Sequence, residues 1–193
     1  MILTGTAIHE EWERGDIVID PFDRAQLNPN SYNFRLGDRL RTYTDEPLDP
    51  KRPNAYTEAS IPPQGFVLQP GRLYLASTLE VMGSHKYAPT FAARSSVARL
   101  GLFINLSASL GDIGFIGQWT LQLFSIHALC IYRHMKIGQM MWWKPQGAID
   151  LYRGRYQGSR GPQSTLSYKD FEQQETLEQE TLECVVLGGV SLT

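Results

Sequence analysis

Arg94-Ser-Ser-Val-Ala-Arg-Leu-Gly101 begins the most informative part of this 193-residue chain, and Asp112-Ile-Gly-Phe115 and Thr120-Leu-Gln-Leu123 follow it. The first segment combines hydroxyl and guanidinium groups with a terminal glycine. The second places a carboxylate close to two glycines, and the third alternates polar and apolar side chains. Together the segments are typical of short strands and turns that carry a ligand site.

The first segment predicts a phosphate-binding turn. Ser95 is suited to capping a helical turn over residues 96–100, and Gly101 is suited to ending it. The start of such a turn offers free N–H groups and a positive dipole end, to which Arg94 and Arg99 add charged donors. The alternative is an ordinary capped turn with exposed arginines.

The other two segments predict polar groups near that turn. Asp112 is expected in a tight turn, where it binds a sugar hydroxyl, holds a water molecule or pairs with an arginine. Strand alternation separates an apolar face from a more polar one: Trp119, Leu121 and Leu123 against Thr120, Gln122 and Phe124. Gln122 beside Thr120 suits the reading of a base edge through amide hydrogen bonds, and a structural hydrogen bond is the alternative.

Most of the remaining chain has the pattern of short strands. A helix is predicted over residues 6–14, with Thr6 as N-cap and Gly15 as stop. Runs rich in branched or aromatic residues then recur between glycines and prolines: 17–19, 66–68, 73–75, 102–104, 119–123 and 137–143. We therefore predict a mainly β sandwich, jelly roll or distorted barrel with few short helices. Residues 45–63 are expected to be a surface excursion. The glycine-rich residues 154–164 are expected to be mobile and, because of Arg155, Tyr156 and Arg160, to close over a ligand as a lid, with a plain flexible loop as the alternative.

Charge is concentrated in the middle of the chain. Residues 81–160 carry 9 basic and 2 acidic residues, whereas residues 1–80 carry 8 and 12, and residues 161–193 carry 1 and 6. This distribution predicts a polyanion site, with a solvated basic face as the alternative. A pI near 6.1 and the lack of a basic-aromatic repeat disfavour nucleic acid as a partner.

Composition limits the remaining classes. With 42% hydrophobic residues and no apolar run of membrane-spanning length, we expect a cytoplasmic protein without a membrane partner. Cys130 and Cys184 lack CxxC spacing and are expected to be free thiols. The histidines are scattered and the zinc-deaminase signature is absent, so no protein-held metal is predicted. The motifs of serine hydrolases and P-loop NTPases are also absent.

Six ordered segments resemble the dCTP deaminase and dUTPase family, over roughly residues 1–168. Residues 94–101 match R-S-S-[LV]-[AG]-R-L-G throughout, and residues 135–139 match M-K-I-G-Q. Looser matches cover residues 1–5, 28–37, 68–80 and 155–162. The resemblance implies a dUTPase-like distorted β-barrel, a homotrimer with sites at subunit interfaces, and a pyrimidine deoxynucleoside triphosphate as ligand, carrying Mg²⁺ and no zinc.

The resemblance also implies roles for individual residues. Phosphate contacts, or the ordering of water near the base, fall to Arg94, Ser95, Ser96 and Arg99. Asp112 meets the deoxyribose, and the pyrimidine is met by Thr120, Leu121 and Gln122. Gln139 lies in the nucleotide region, and a closing tail holds phosphates with Tyr152, Arg155 and Ser159. Gln122, Ser95 and Arg99 occupy the catalytic positions.

Gln122 stands where the deaminases of this family have a catalytic glutamate. That glutamate takes a proton from the water that attacks C4 and passes protons to N3 and ammonia, which an amide does not do. Ile113, Ser159, Arg155 and Asn33 also replace family residues, so the base side of the site differs more than the phosphate side.

Three functions remain open at this point. One is deamination of dCTP to dUTP and ammonia, impaired or retargeted by Gln122. The second is diphosphohydrolysis of the dUTPase type, and the third is nucleotide binding without catalysis. The predicted domain covers residues 1–170, followed by an acidic tail, 171–193, whose near-repeat at 175–183 suggests helix.

Overall fold

The computed structural model describes residues 1–172, whose regular elements are mostly β-strands. In chain order the elements are α1 (Gly5–Glu13), β1 (Ile17–Asp20), a 3₁₀ turn (Arg24–Gln26), β2 (Leu27–Asn28), β3 (Ser31–Arg35), β4 (Arg39–Tyr43), β5 (Tyr56–Ser60), β6 (Phe66–Leu68), β7 (Leu73–Ser84), β8 (Ala88–Ala93), α2 (Ser95–Ala98), β9 (Leu102–Phe103), β10 (Ile116–Ser125), β11 (Leu129–Ile131) and β12 (Lys136–Trp143). The predicted mainly β architecture with few short helices is confirmed. Except for Phe171 and Glu172, the predicted acidic tail lies outside the described residues.

The strands form two larger sheets and one small pair. One sheet has the order β5-β4-β7-β10-β9, with β1 also paired to β7. The second has the order β2-β3-β12-β8, and β6 pairs with β11. Each strand pair whose residue register is defined is antiparallel. All six predicted strand runs lie in or overlap these strands.

The inward faces of both sheets supply a shared apolar core. Side chains with at most 4% exposure come from both: Tyr32, Phe34, Ala76, Met82, Phe91, Leu121, Leu123, Met140 and Trp142. Burying a side chain of this size contributes about 1.5–3 kcal/mol. The alternation predicted for β10 is confirmed, because Trp119, Leu121 and Leu123 are buried while Thr120 and Gln122 are half-buried.

A bulge interrupts the long ladder between β7 and β10. Gln118 pairs with Val81, but Thr120 pairs with Ser77, so residues 78–80 of β7 lie opposite the single residue Trp119. Bulges of this kind are common beside functional sites, where they alter the direction of side chains. The bulge lies directly before Thr120 on the polar face of β10.

The N-cap of helix α1 lies two residues before the predicted one. Thr4, not Thr6, is the N-cap, and its Oγ1 accepts a hydrogen bond from Ala7 N at 3.3 Å. Gly15 follows the helix with φ +81°, which confirms its predicted role as a stop.

The chain divides into two compact units. One contains residues Met1–Thr42 and Thr57–Gln163, and the other contains Tyr43–Tyr56 and the chain from Ser164. Inside the second unit, Thr165 N donates to the hydroxyl of Tyr43 at 2.7 Å, and Ser167 Oγ donates to Pro50 O at 3.0 Å. Within the described residues, no helix is both long enough and apolar enough to span a bilayer.

Candidate active site

The turn that carries Arg94 lies directly after β8. Arg94 N donates to Ile137 O of β12 at 3.1 Å, and Arg94 O accepts from Val97 N and Ala98 N at 2.9 Å. Arg94 is therefore the N-cap of α2, and it makes no side-chain capping bond. The prediction that Ser95 caps the turn is wrong, because Ser95 is already the first helical residue.

The turn exposes the groups that a phosphate requires. Ser95, Ser96 and Arg99 are exposed, and Arg94 is half-buried. Gly101 has φ +78° and ends the turn as predicted. The first turn of α2 contains no acidic residue, so no carboxylate of that turn accompanies the two serines and two arginines of residues 94–99.

Gln139 belongs to the same end of the second sheet as this turn. It lies on β12 opposite Ala92, two residues before Arg94. Its Nε2 donates to Asn33 Oδ1 at 3.5 Å, and Asn33 Nδ2 donates to Asn28 Oδ1 at 3.2 Å. Asn33 is 6% exposed, so the hydrogen-bonded carboxamides of Asn33 and Asn28 hold the Gln139 side chain from the protein interior.

Gln122 is held at both its main chain and its side chain. Gln122 N donates to Ile104 O at 2.8 Å, and its Oε1 accepts from Leu106 N at 3.0 Å. Because Leu106 N is a donor, the amide oxygen of Gln122 must face it. The NH₂ group of Gln122 is left to the polar face of β10.

Thr120 and Leu121 contribute differently to this strand. Thr120 Oγ1 accepts from Gln163 N at 3.0 Å, which leaves its O–H free to donate. Leu121 has no exposed surface and lies on the buried face of β10.

Asp112 lies in the tight turn predicted for it. Phe115 N donates to Asp112 O at 3.3 Å, and Gly114 has φ +100°. The carboxylate is exposed. The preceding residue, Gly111, donates to Pro89 O at 2.9 Å, which places this turn beside the start of β8.

The predicted phosphate and sugar groups therefore lie at opposite ends of β8. Pro89 and Arg94 are five residues apart, which at about 3.3 Å per residue is about 17 Å.

Tyr152 and Ser159 lie on the same side as Asp112. Tyr152 N donates to Ile113 O at 2.7 Å, and its ring packs edge-on against Phe115 with centroids 5.9 Å apart. Ser159 Oγ donates to Tyr156 O at 2.6 Å, and Arg155 is exposed on the same segment. The segment containing residues 154–163 is hydrogen-bonded along β10 rather than extended into solvent.

Sequence reasoning missed the residues that shape β10. Thr78 Oγ1 accepts from Trp119 N at 2.9 Å and donates to Glu80 O at 2.7 Å, which satisfies the bulge. Glu80 is fully buried and accepts from Arg35 N and Nε at 2.8 and 2.7 Å. The only available signal was the motif resemblance over residues 68–80, which does not indicate a bulge.

The described residues contain no cluster of three or more His, Cys, Asp or Glu side chains able to hold a metal ion. Mg²⁺ is bound in many nucleotide sites by one or two carboxylates and the phosphates of the ligand. The guanidinium and hydroxyl donors of residues 94–101 suit the phosphate oxygens of a nucleotide and are not ligands for a metal ion.

The sequence of the chain is similar to those of known proteins. The sequence model of the dCTP deaminase-like family matches residues 2–144. A dCTP deaminase, dUMP-forming, from Cytophaga hutchinsonii is 44% identical over 173 residues, covering 89% of this chain and 99% of the relative. A protein of the same description from Clostridium botulinum is 46% identical with the same coverage.

A solved structure shows a related fold. The crystal structure of 2′-deoxycytidine 5′-triphosphate deaminase from Agrobacterium tumefaciens matches with a TM-score of 0.58 and 19% identity. The match covers 73% of this chain and 47% of that one, so this chain spans less than half of its structural neighbour.

Proposed function

The chain belongs to the dCTP deaminase-like family, and from that premise we propose that it is a hydrolase that binds dCTP and converts it to dUMP, ammonia and pyrophosphate. The observation that carries this proposal is 44–46% identity, over nearly the whole length, to relatives described as dUMP-forming dCTP deaminases. Because these relatives are described as dUMP-forming, the product proposed here is dUMP and not the dUTP that the sequence motifs predict.

This reaction consumes two water molecules. In the first step, water adds to C4 of cytosine, the C4–N4 bond breaks and ammonia leaves. In the second, water attacks the α-phosphorus, the bond to the β-phosphate oxygen breaks and pyrophosphate leaves. Both steps require a positioned water and charge stabilisation on the phosphates.

Gln122 makes the first step slow in this proposal. Its amide binds water or a base edge, but it does not accept the proton that the attacking water loses. Where no other group replaces it, the loss of a general acid–base group costs about 10²–10⁴-fold in rate. Ser95 and Arg99 then act on the water and on the developing charge.

The phosphates are assigned to the polar groups of two stretches of the chain, residues 94–99 and residues 152–159. Arg94 and Arg99 provide charge-assisted hydrogen bonds, and Ser96 provides a hydroxyl. Tyr152, Arg155 and Ser159 approach from the other segment. Magnesium, when bound, neutralises part of the triphosphate charge.

Each complete site combines two copies of the chain. The separation of about 17 Å along β8 between the Arg94 end and the Asp112 end supports this assignment. We propose the homotrimer that the family resemblance implies, acting in cytoplasmic nucleotide metabolism. Asp112, Thr120, Leu121 and Gln122 then come from one copy, and Arg94, Ser95, Ser96 and Arg99 from its neighbour.

A second candidate is diphosphohydrolysis of dUTP without deamination. The orientation of Gln122 favours it, because an NH₂ group facing the base complements a carbonyl oxygen rather than an amino group. This reaction needs no proton transfer at C4.

The test is to incubate the purified protein with Mg²⁺ and either dCTP or dUTP, and to separate the products by anion-exchange chromatography. Release of dUMP and ammonia from dCTP supports the proposal. Release of dUMP from dUTP alone supports the second candidate. Binding of either nucleotide without turnover refutes both and leaves a nucleotide-binding homologue.

A further inference from the structure

We propose that Gln118 and Gln157 are positioning residues whose two carboxamides fasten residues 154–163 to β10. Below, residues 154–163 are called the C-terminal segment. The docking is a property of the fold, whereas its effect on triphosphate binding depends on the proposed function.

Gln157 binds the start of β10 as a neighbouring strand would. Its Oε1 accepts from Ile116 N at 2.9 Å, and its Nε2 donates to Gly114 O at 2.7 Å. One exposed side chain therefore satisfies a donor and an acceptor of the β10 main chain. A mobile loop does not require such a paired contact.

Gln118 joins the C-terminal segment to the bulge in β7. Its Nε2 donates to Leu79 O at 2.8 Å, and its Oε1 accepts from Gly161 N at 2.6 Å. Leu79 lies within the bulge opposite Trp119, where the ladder register shifts. The Gln118 carboxamide uses a carbonyl of the bulge as its fixed point and holds Gly161 from the other side.

Two main-chain hydrogen bonds, located between the contacts of Gln157 and Gln118, also hold the segment on β10. Gly158 N donates to Ile116 O at 3.1 Å, and Gln118 N donates to Ser159 O at 2.9 Å. A Cβ on Gly117 would lie 3.0 Å from Ser159 N and 3.1 Å from Ser159 O. Glycine at 117 therefore lets the main chain of the segment approach this closely without a shift.

The docked segment sets the position of the predicted phosphate ligands. Ser159 lies between the contacts at Gln157 and Gly161, and Arg155 lies two residues before Gln157. Gln163 N donates to the hydroxyl of Thr120, which is predicted to meet the base. A displaced segment would move Arg155 and Ser159 away from β10 while leaving Gln122 in place. The expected consequence is weaker binding of the β- and γ-phosphates and unchanged contact with the base.

The rate of cleavage by trypsin tests the docking directly, because Arg153, Arg155 and Arg160 are exposed on or beside the segment. We expect Gln118→Met and Gln157→Met each to be cleaved there about tenfold faster than the wild type, since each loses two hydrogen bonds. The control is Gln64→Met, at an exposed glutamine on another loop. Cleavage sites are assigned by mass spectrometry without nucleotide, and thermal unfolding confirms that the variants remain folded.

Nucleotide affinity then separates positioning from simple docking. We expect the Kd for dCTP to rise about tenfold in both Met variants, and the Kd for dCMP, which lacks the outer phosphates, to stay within about twofold. Cleavage at the wild-type rate in both folded variants would overturn the docking. Faster cleavage with an unchanged Kd for dCTP, or with equal weakening of dCTP and dCMP, would overturn the positioning role. A wild-type protein that binds neither nucleotide refutes the proposed function and this role with it, while the cleavage rates still decide whether the carboxamides dock the segment.

Discussion

Replacing Gln122 by glutamate should restore proton transfer with little change in structure. The Oε1 of residue 122 accepts from Leu106 N at 3.0 Å, a bond that a carboxylate oxygen also makes. The flanking side chains of Leu121 and Leu123 have no exposed surface and fix the strand, so the second carboxylate oxygen replaces the NH₂ group in place. We expect Gln122→Glu to release ammonia from dCTP about 10²–10⁴ times faster than the wild type.

The assay measures ammonia and dUMP from dCTP under single-turnover conditions, so that product release does not limit the rate. Gln64→Glu introduces the same charge at an exposed position and should leave the rate unchanged. Gln122→Met, which neither holds water nor titrates, should be no faster than the wild type. A Gln122→Glu protein that binds dCTP normally yet gains less than tenfold would refute the assignment of residue 122 as the proton-transfer position.

Three further results are expected. Mixing equal amounts of unfolded Arg94→Ala and Asp112→Asn proteins and refolding them should recover about a quarter of wild-type turnover if each site joins two copies of a trimer, and none if each site lies within one copy. The hydrogen bond from Lys86 holds the pKa of the Glu11 carboxyl at about 2, below its ordinary 4.5. This pair therefore stabilises the fold fully above pH 4.5, and the stabilisation is lost as the pH falls toward about 2. Lys86→Met should raise the midpoint pH of acid unfolding seen by circular dichroism. Leu121→Ala, at a fully buried position, should lower the free energy of unfolding in urea by about 2–5 kcal/mol.

The strand content was predictable because it depends on local patterns. The alternation of residues 119–123 gave the buried and polar faces of β10 correctly, since period-two burial follows from strand geometry alone. Gly15 and Gly101 were correctly predicted as stops, because both have positive φ values that suit glycine. Thr4 and Arg94 were missed as caps, because several adjacent residues of suitable type compete for such a position.

The candidate site was only partly predictable because its geometry depends on long-range pairing. The motif at residues 94–101 predicts which groups bind phosphate, but the distance of these groups from Asp112 depends on how β8 pairs with residues 109–111. The bulge at Thr78 and the contacts of Gln118 and Gln157 join elements about 40 residues apart. Glutamines on a polar strand and in a glycine-rich loop do not reveal in the sequence that each binds the main chain of the other's segment.

The polar face of β10, where a base is predicted to bind, presents hydrogen-bond donors, and these donors predict which pyrimidine the protein binds better. Thr120 accepts from Gln163 N and Gln122 accepts from Leu106 N, so an O–H and an NH₂ group remain for the ligand. At C4, uracil has a carbonyl oxygen that accepts such a hydrogen, whereas cytosine has an amino group that does not. We expect the wild type to bind dUTP at least about tenfold more tightly than dCTP, since an unpaired donor costs about 1–3 kcal/mol. Gln122→Glu, whose carboxylate accepts from the cytosine amino group, should reverse the order in calorimetry; equal affinities in both proteins would show that residue 122 does not face C4.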